Sequence, residues 1–147
     1  VQRLIQEAPR FLRPGGWLAF EVGLGQAPAV MRRLTPALNY ASVRSVAQAI
    51  GREIDPLRFR ANFYVDGLKP WAEDDWIVGQ KIQLGGADLT LFKPIVRCVA
   101  THVNLDTGER DIDMVAQLRE HFGRDTLGHY FSVAKTGEVA LGAELSA

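Results

Sequence analysis

Two stretches of the chain place hydrophobic residues at the three- and four-residue spacing of an amphipathic helix. The first covers residues 39–50, with Asn39 or Ser42 suited to cap its start and Gly51 suited to cap its end. The second covers residues 113–122. Their apolar positions are Val43, Val46, Ala47 and Ile50 in the first stretch and Met114, Leu118 and Phe122 in the second. We therefore predict a helix in each stretch.

Runs of β-branched and aromatic residues surround these helices and are separated by turn sequences rich in glycine and aspartate. The predicted strands are residues 59–65, 81–84, 88–100, 130–134 and 138–141, with turns at Asp66-Gly67, Gly85-Gly86, Asp106-Thr107-Gly108 and Thr136-Gly137. Short turns of this kind join antiparallel neighbours. From residue 39 onward the pattern predicts an α+β fold, a small antiparallel β-barrel with helical insertions.

The first 38 residues have a different pattern, which alternates helical and strand signals. In chain order they show a helical period over residues 1–12, a breaker at Arg13-Pro14-Gly15-Gly16, a strand-like apolar run over residues 17–22, and the start of another helix over residues 28–34. We predict an N-terminal helix-strand-helix segment over residues 1–38 and a β-barrel domain over residues 39–147.

Composition narrows the class of ligand. Seventeen basic side chains balance seventeen acidic ones, so no net charge draws the chain to nucleic acid or to an anionic membrane, and a small-molecule ligand is favoured. The hydrophobic fraction of 47% is sufficient for a packed core. The sequence has no apolar run long enough to span a membrane and no signal-peptide layout, which predicts a soluble, cytoplasmic protein.

The single cysteine, Cys98, has the most reactive side chain among the candidate residues. It cannot form an internal disulfide, and the neighbouring Arg97 would favour its thiolate form. The alternative is that Cys98 is a small apolar side chain buried on a strand, which is the more frequent role of a lone cysteine.

Other polar groups give weaker signals. The carboxylates at residues 73–75 are adjacent, so they point apart, and a solvated loop is the better interpretation than a catalytic pair. His102 would share a strand face with Cys98, although a surface histidine at the strand end is favoured. His121 and His129 show no spacing of a zinc site.

Several ordered motifs resemble those of the MOSC domain, the C-terminal module of molybdenum-cofactor sulfurases. They are Arg-Phe-Arg-x-Asn at residues 58–62, an acidic-aromatic loop at residues 71–76, Arg-Cys-x-x-Thr at residues 97–101, and the loop at residues 104–111. The likeness extends over residues 39–145, the C-terminal half of such a domain. Several short motifs in the family's order are more specific than any one of them.

The resemblance implies a function for individual residues. Cys98 would be the catalytic residue and the ligand of molybdenum or of a persulfide sulfur, since soft partners prefer thiolate. Arg60 and Asn62 match residues that reach the pterin cofactor in the family, and Arg97, Arg58 and Ser42 are further candidates for binding the molybdenum cofactor (molybdopterin). By alternation along the predicted strand, Arg58, Arg60 and Asn62 would share one face.

The segment before residue 35 is similar to a late helix and strand of the methyltransferases that modify the glutamine of release factors. The glycine loop and the Asn-Pro-Pro-Tyr motif of a working methyltransferase have no counterpart in the sequence. The β-rich N-terminal half of a MOSC domain has no counterpart either. We expect the strand at residues 17–22 to complete the sheet, or the chain to form a homo-oligomer by strand exchange.

Two functions of different classes follow. The first is a molybdenum-cofactor-binding or sulfur-carrying protein that reduces N-hydroxylated small molecules if its pocket is complete. The second is a non-catalytic remnant or chimeric scaffold that keeps the fold without the cofactor.

Overall fold

The computed structural model describes residues 34–146. The helix, the strand and most of the second helix expected before residue 34 therefore lie outside the described residues. Residues 34–38, which the sequence assigned to the N-terminal segment, belong to a strand of the sheet, and the compact unit begins at Leu34 rather than at Asn39.

Six strands and two helices follow one another along residues 34–146. The strands are β1 (Leu34–Asn39), β2 (Phe63–Val65), β3 (Lys81–Leu84), β4 (Ala87–Val96), β5 (Thr126–Lys135) and β6 (Leu145–Ser146). The helices are α1 (Tyr40–Ile50) and α2 (Met114–Phe122), and short 3₁₀ turns lie at Pro56–Phe59, Ala72–Asp75 and Val99–His102.

The strands form one sheet in the order β2-β1-β5-β4-β3-β6, which curves into a nearly closed barrel. Every neighbouring pair is antiparallel except β1 and β2, which run parallel. The α+β barrel predicted from the sequence is confirmed, with one parallel pairing in an otherwise antiparallel sheet.

Both predicted helices are present, and both end as expected. Asn39 caps α1 by accepting from the amide of Ala41, and Gly51 ends it in the left-handed conformation at φ 69°. Asp113 and Gly123 serve the same purposes for α2. Local sequence was sufficient here because capping depends on a few neighbouring residues.

Four strand predictions differ from the structure, and one of them is the strand of residues 130–134, which already begins at Thr126. Residues 59–62 precede β2, because Pro56 starts a 3₁₀ turn whose first amides are capped by Asp55. Strand β4 ends at Val96 rather than at Ala100, since a 3₁₀ turn follows. Residues 138–141 lie in a loop that contacts Gly86 through a backbone hydrogen bond, and not in a strand.

A β-bulge in β5 shifts the alternation of its side chains between the two faces of the sheet. Pro94 pairs with His129 and Val96 with Thr126, so two residues of β5, Leu127 and Gly128, stand opposite the single residue between Pro94 and Val96. Gly128 adopts φ 74°, which glycine alone tolerates readily. The bulge explains why Leu127 and Phe131 lie in different hydrophobic clusters although they are an even number of residues apart.

The two clusters fill the two sides of the sheet. The cluster under the helices contains Leu38, Val43, Val46, Ile54, Phe59, Ile112, Met114, Leu118 and Leu127. The cluster inside the barrel contains Ala37, Ile82, Leu84, Leu89, Leu91 and Phe131. Neighbouring residues Ala37 and Leu38 of β1 point to opposite clusters, as strand alternation requires.

A buried carboxylate fixes the acidic-aromatic loop to the start of α1. Glu73 is 2% exposed and accepts hydrogen bonds of 2.7 Å from the hydroxyl of Ser42 and 2.7 Å from the side-chain amide of Asn39. The Ser42 hydroxyl in turn accepts from the backbone amide of Trp71 at 2.8 Å. The prediction of a solvated loop is therefore wrong for Glu73, because two donors, the side-chain amide of Asn39 and the hydroxyl of Ser42, satisfy its charge.

Gly128→Ala should destabilise the domain by about 3 kcal/mol. Alanine is disfavoured in the left-handed backbone conformation, and its Cβ would also overlap neighbouring atoms. A Cβ at this position would lie 2.6 Å from the carbonyl oxygen of Ala37 and 2.9 Å from a methyl of Leu38. Gly51→Ala is the matched control, because φ is also positive but nothing lies within 4 Å. It should cost only about 1 kcal/mol, the cost of the left-handed backbone alone. Urea unfolding of both variants measures the difference, and equal losses would contradict the close approach.

Glu73→Gln should lower the free energy of unfolding by about 1 to 3 kcal/mol, because an amide supplies one acceptor where the site needs two. Either its NH₂ group opposes the amide of Asn39, or the hydroxyl of Ser42 loses its acceptor. The control is Asp75→Asn on the exposed side of the same loop, which should change stability by less than about 0.5 kcal/mol. Denaturant unfolding tests the pair, and a neutral Glu73→Gln variant would show that the carboxylate is not required.

Candidate functional site

At the end of β4, the side chains of Arg97 and Cys98 point to opposite sides of the chain. Ile95 and Arg97 point inward, whereas Val96 and Cys98 point outward. Cys98 is exposed and keeps an extended backbone, and the 3₁₀ turn that follows is closed by bonds from the amide and hydroxyl of Thr101 to its carbonyl. The thiol thus faces solvent at the open end of the strand, and the interpretation of Cys98 as a buried apolar side chain is wrong.

Arg97 is buried and bonds to backbone carbonyls. Its Nε donates to the oxygen of Leu127 at 2.9 Å, its Nη2 donates to the same oxygen, and its Nη1 donates to the oxygen of Phe59 at 2.8 Å. The guanidinium carbon also lies 5.2 Å from the centre of the Phe59 ring. Burial lowers the pKa of Arg97 to about 10, so it stays charged at neutral pH.

The Arg97 side chain therefore ties two chain segments to the strand that carries Cys98. One is the bulge of β5, and the other is the segment that contains Arg60 and Asn62 directly after Phe59. The sequence interpretation placed the charge of Arg97 beside the thiol, whereas the structure shows its donors bonded to two backbone carbonyls. Its guanidinium holds the neighbouring backbone in place.

Arg60 and Asn62 are both exposed in the connection between the 3₁₀ turn and β2. Arg60 has a positive φ of 53°, where it caps the turn. The amide of Asn62 donates to the carbonyl of Pro36 at 2.9 Å, which anchors the connection to β1. The prediction that Arg58, Arg60 and Asn62 share one strand face is wrong, because no strand has formed at these residues.

Arg58 is turned into the protein. It is 4% exposed and pairs with both oxygens of Asp111, at 2.7 and 2.8 Å, and with the carbonyl of His102 at 3.2 Å. The hydrogen bonds from Arg58 lower the pKa of Asp111 to about 2. This bidentate pair links the first 3₁₀ turn to the loop before α2, so Arg58 lies in an internal ion pair and away from the exposed surface.

Ser42 is also internal. Its hydroxyl is fully buried and is used twice, as donor to Glu73 and as acceptor from Trp71. The structure therefore joins Arg97, through the carbonyl of Phe59, to the segment that carries Arg60 and Asn62, while it places Arg58 and Ser42 in contacts that hold the fold.

His102 is buried, so its interpretation as a surface histidine is wrong, and it shares no strand face with Cys98 because residues 99–102 form a 3₁₀ turn. It is 8% exposed, and its Nε2 lies 3.2 Å from a carboxylate oxygen of Asp113 and accepts from the amide of Val115 at 3.5 Å. The 3₁₀ turn after Cys98 breaks the strand alternation and rotates His102 onto the start of α2.

A cavity of about 200 Å³ opens at the same end of strands β4 and β5. Its walls come from the acidic-aromatic loop, β4 and the start of β5, and its lining residues are Asp74, Trp76, Val78, Leu91, Pro94, Arg124, Thr126, Leu127, Gly128 and His129. Leu91, Leu127 and His129 are buried, whereas Val78 and Pro94 are exposed. The cavity thus has a buried floor and a solvent-facing rim.

His129 lines this cavity, a position that the sequence analysis did not assign to it. It is 5% exposed, and its Nδ1 is buried without a hydrogen-bond partner among the described residues. Burial lowers the pKa of His129, against opposing contributions from Glu73 and Asp74, so the imidazole is neutral at pH 7. The sequence placed His129 just before the predicted strand of residues 130–134, and the bulge that turns it inward is not visible in that pattern.

Two negative findings apply to residues 34–146. No group of three or more histidine, cysteine, aspartate or glutamate side chains is arranged to hold a metal ion. No helix in this part of the chain has the length and apolar character that crossing a bilayer requires.

Comparison with known proteins gives relatives of two kinds. A release factor glutamine methyltransferase of Gloeobacter violaceus is 43% identical over 53 residues, which are 36% of this chain and 18% of that protein. This match agrees with the methyltransferase resemblance of the N-terminal segment. It covers too little of the enzyme to extend that activity to this chain.

The other relatives are molybdenum cofactor sulfurases and an amidoxime-reducing protein. A molybdenum cofactor sulfurase of Anopheles gambiae is 33% identical over 124 residues, covering 74% of this chain and 16% of the sulfurase. The mitochondrial amidoxime-reducing component 1 of Mus musculus is 30% identical over 74 residues, covering 50% of this chain and 21% of that protein. The chain thus spans about a sixth to a fifth of the length of these curated relatives.

Solved structures show the same fold. The YiiM protein of Geobacillus stearothermophilus superimposes with a TM-score of 0.61 at 22% identity, over 87% of this chain and 60% of that one. The family model of the MOSC domain matches residues 31–146, which contain every strand and helix of the described chain and all of the candidate residues. The chain belongs to the MOSC domain family.

Proposed function

We propose that this domain binds a molybdenum cofactor through the thiolate of Cys98. The observation that carries the proposal is the exposure of this thiol at the end of β4, beside a connection that Arg97 ties to the same strand end. A thiolate ligand suits a soft metal centre, and it must be reachable from solvent if a cofactor is to bind after folding.

The residues near Cys98 fit a cofactor that brings most of its own metal ligands. Residues 34–146 offer no multi-residue metal site, so the protein would supply one sulfur and the cofactor would supply the others. Arg60 and Asn62 are exposed in the adjoining connection, where a guanidinium suits a phosphate and a carboxamide suits the edge of a pterin. Arg97 would act as a positioning residue.

Reduction of an N-hydroxylated compound is the reaction that the amidoxime-reducing relative suggests. Cleaving an N–O bond to give N–H and water consumes two electrons and two protons. The molybdenum centre would supply this redox chemistry when bound, and an electron-carrier protein would have to supply the electrons. Cys98 would hold the centre at the mouth of the barrel, where a small substrate has access.

A second candidate function is sulfur transfer, in which Cys98 carries a persulfide. It is supported by the same exposed thiol and by the sulfurase relative. A third hypothesis is that the chain is a scaffold that retains the fold and binds neither cofactor nor sulfur. These functions differ in what remains bound to the purified chain.

Cys98→Ala should remove molybdenum from the chain, because no other described residue offers a thiolate. The full chain is expressed in cells that make the molybdenum cofactor, and molybdenum and labile sulfur are measured per chain. We expect molybdenum to fall about tenfold or more relative to the wild type. Val99→Ala, at the exposed neighbouring position, is the control and should keep its metal.

The outcomes separate the three functions. Labile sulfur without molybdenum in the wild type would support the sulfur carrier and contradict the cofactor proposal. Neither molybdenum nor sulfur would favour the scaffold. Equal molybdenum in the wild type and in Cys98→Ala would show that the cofactor binds elsewhere.

Arg60→Gln should weaken cofactor retention while Cys98 stays intact. A charge-assisted hydrogen bond is worth about 1.5 to 3 kcal/mol, so we expect about a tenfold to hundredfold lower affinity. The measurement is the molybdenum that remains after dialysis in a rising salt series. Arg110→Gln removes an exposed charge from a different loop and serves as control. Similar losses in the two variants would mean that Arg60 contributes only through net charge.

A further inference from the structure

The cavity beside Trp76 and His129 is not explained by the cofactor proposal. Cys98 does not line it, and neither do Arg60 and Asn62. It nevertheless lies at the same end of the barrel, because Thr126 in its wall pairs with Val96, two residues before Cys98. Strand geometry places the Cα atoms of Thr126 and Cys98 within about 12 Å.

The size of the cavity limits its occupant. Cavities that hold drug-sized ligands usually measure roughly 300 to 1,000 Å³, whereas a cavity of about 150 Å³ is sufficient for benzene. At about 200 Å³ the present one accommodates a single six-membered ring with one small substituent. Its floor and one wall are suited to a ring, since Leu91, Leu127, Pro94 and the half-buried indole of Trp76 line them.

The charges around the cavity favour an uncharged ligand. Asp74 and Arg124 on the rim form an ion pair of 2.6 Å, and Arg124 also lies 5.0 Å from the ring of Trp71, so its charge is already partnered on two sides. His129 is neutral at pH 7, as described above. No net charge of either sign is therefore directed into the cavity by these three groups.

One of the residues that line the cavity can form hydrogen bonds. His129 packs its ring 6.1 Å from that of Trp76. Its Nδ1 is buried and has no hydrogen bond within the described chain, so the imidazole is not committed to another partner through that atom. A neutral imidazole offers one donor and one acceptor, so a hydroxyl group matches either tautomer.

We propose that this cavity binds a single-ring, uncharged molecule with one hydrogen-bonding substituent, its ring beside Trp76 and its polar group on His129. The occupant would be the molecule on which the Cys98 centre acts, and this part of the proposal rests on the proposed function. Binding itself requires neither Cys98 nor a cofactor, so the two proposals fail separately.

Phenol, toluene and benzoate test the proposal on the full chain, with and without Cys98→Ala. Binding is followed by the NMR shifts of the backbone amides of Thr126 and Gly128, which line the cavity. Phenol should bind saturably in both backgrounds and about fivefold more tightly than toluene, the value of one net hydrogen bond. Benzoate should bind more weakly than phenol.

Variants identify the groups responsible. His129→Phe should abolish the preference for phenol over toluene, whereas His121→Phe, an exposed histidine on α2, should leave it unchanged. Val78→Trp, at an exposed rim position, should lower the affinity for both phenol and toluene. This substitution leaves the core untouched, whereas His129→Phe changes a buried residue. Absence of saturable shifts, tighter binding of benzoate than phenol, or a phenol preference that survives His129→Phe would each overturn the proposal.

Discussion

The guanidinium of Arg97 is buried without a carboxylate partner in the described part of the chain, and the structure at this end of the barrel depends on how its charge is satisfied. Within residues 34–146, the contacts of the Arg97 guanidinium are two carbonyl oxygens, those of Leu127 and Phe59, and the face of the Phe59 ring. Moving a charge from water into the protein is costly unless its hydrogen bonds are replaced. The two carbonyls must therefore point at one spot, which fixes the segments that carry them.

The bulge at Gly128 makes this arrangement sterically feasible. It turns the carbonyl of Leu127 toward Arg97, and the absence of a side chain at Gly128 leaves room for Nη2, which lies 3.3 Å from where a Cβ would stand. The same bulge rotates His129 into the cavity beside Trp76. Two features of the site, the segment with Arg60 and the neutral histidine, thus derive from one irregularity in β5.

The sequence predicted those parts of the molecule that depend on neighbouring residues. Both helices, their caps, the strand of residues 81–84 and the α+β class follow from local patterns, and ordered motifs identified the family. The extent of the strands could not be predicted from local patterns. A 3₁₀ turn that starts at Pro56 and another that follows Cys98 replace the extended chain that the residue types favour.

The candidate site was predicted in part for the same reason. The sequence analysis took Arg97 as a cation beside the thiol, but the two side chains point to opposite sides of the strand end, and the partners of Arg97 lie 30 and 38 residues away. Glu73 reads as a solvated loop residue because its donors, Asn39 and Ser42, lie more than 30 residues earlier. Contacts over such separations are set by packing, which a single sequence does not display.

Amide hydrogen exchange of the wild type and of Arg97→Met tests the central claim most directly, since methionine keeps much of the length and apolar stem but none of the donors. If the guanidinium holds the adjoining segments, the amides of Arg60 and Asn62 should exchange faster by more than the loss in global stability explains. The amide of Val46 in α1 should follow global stability alone. Uniform acceleration at all three amides, or none, would contradict the account.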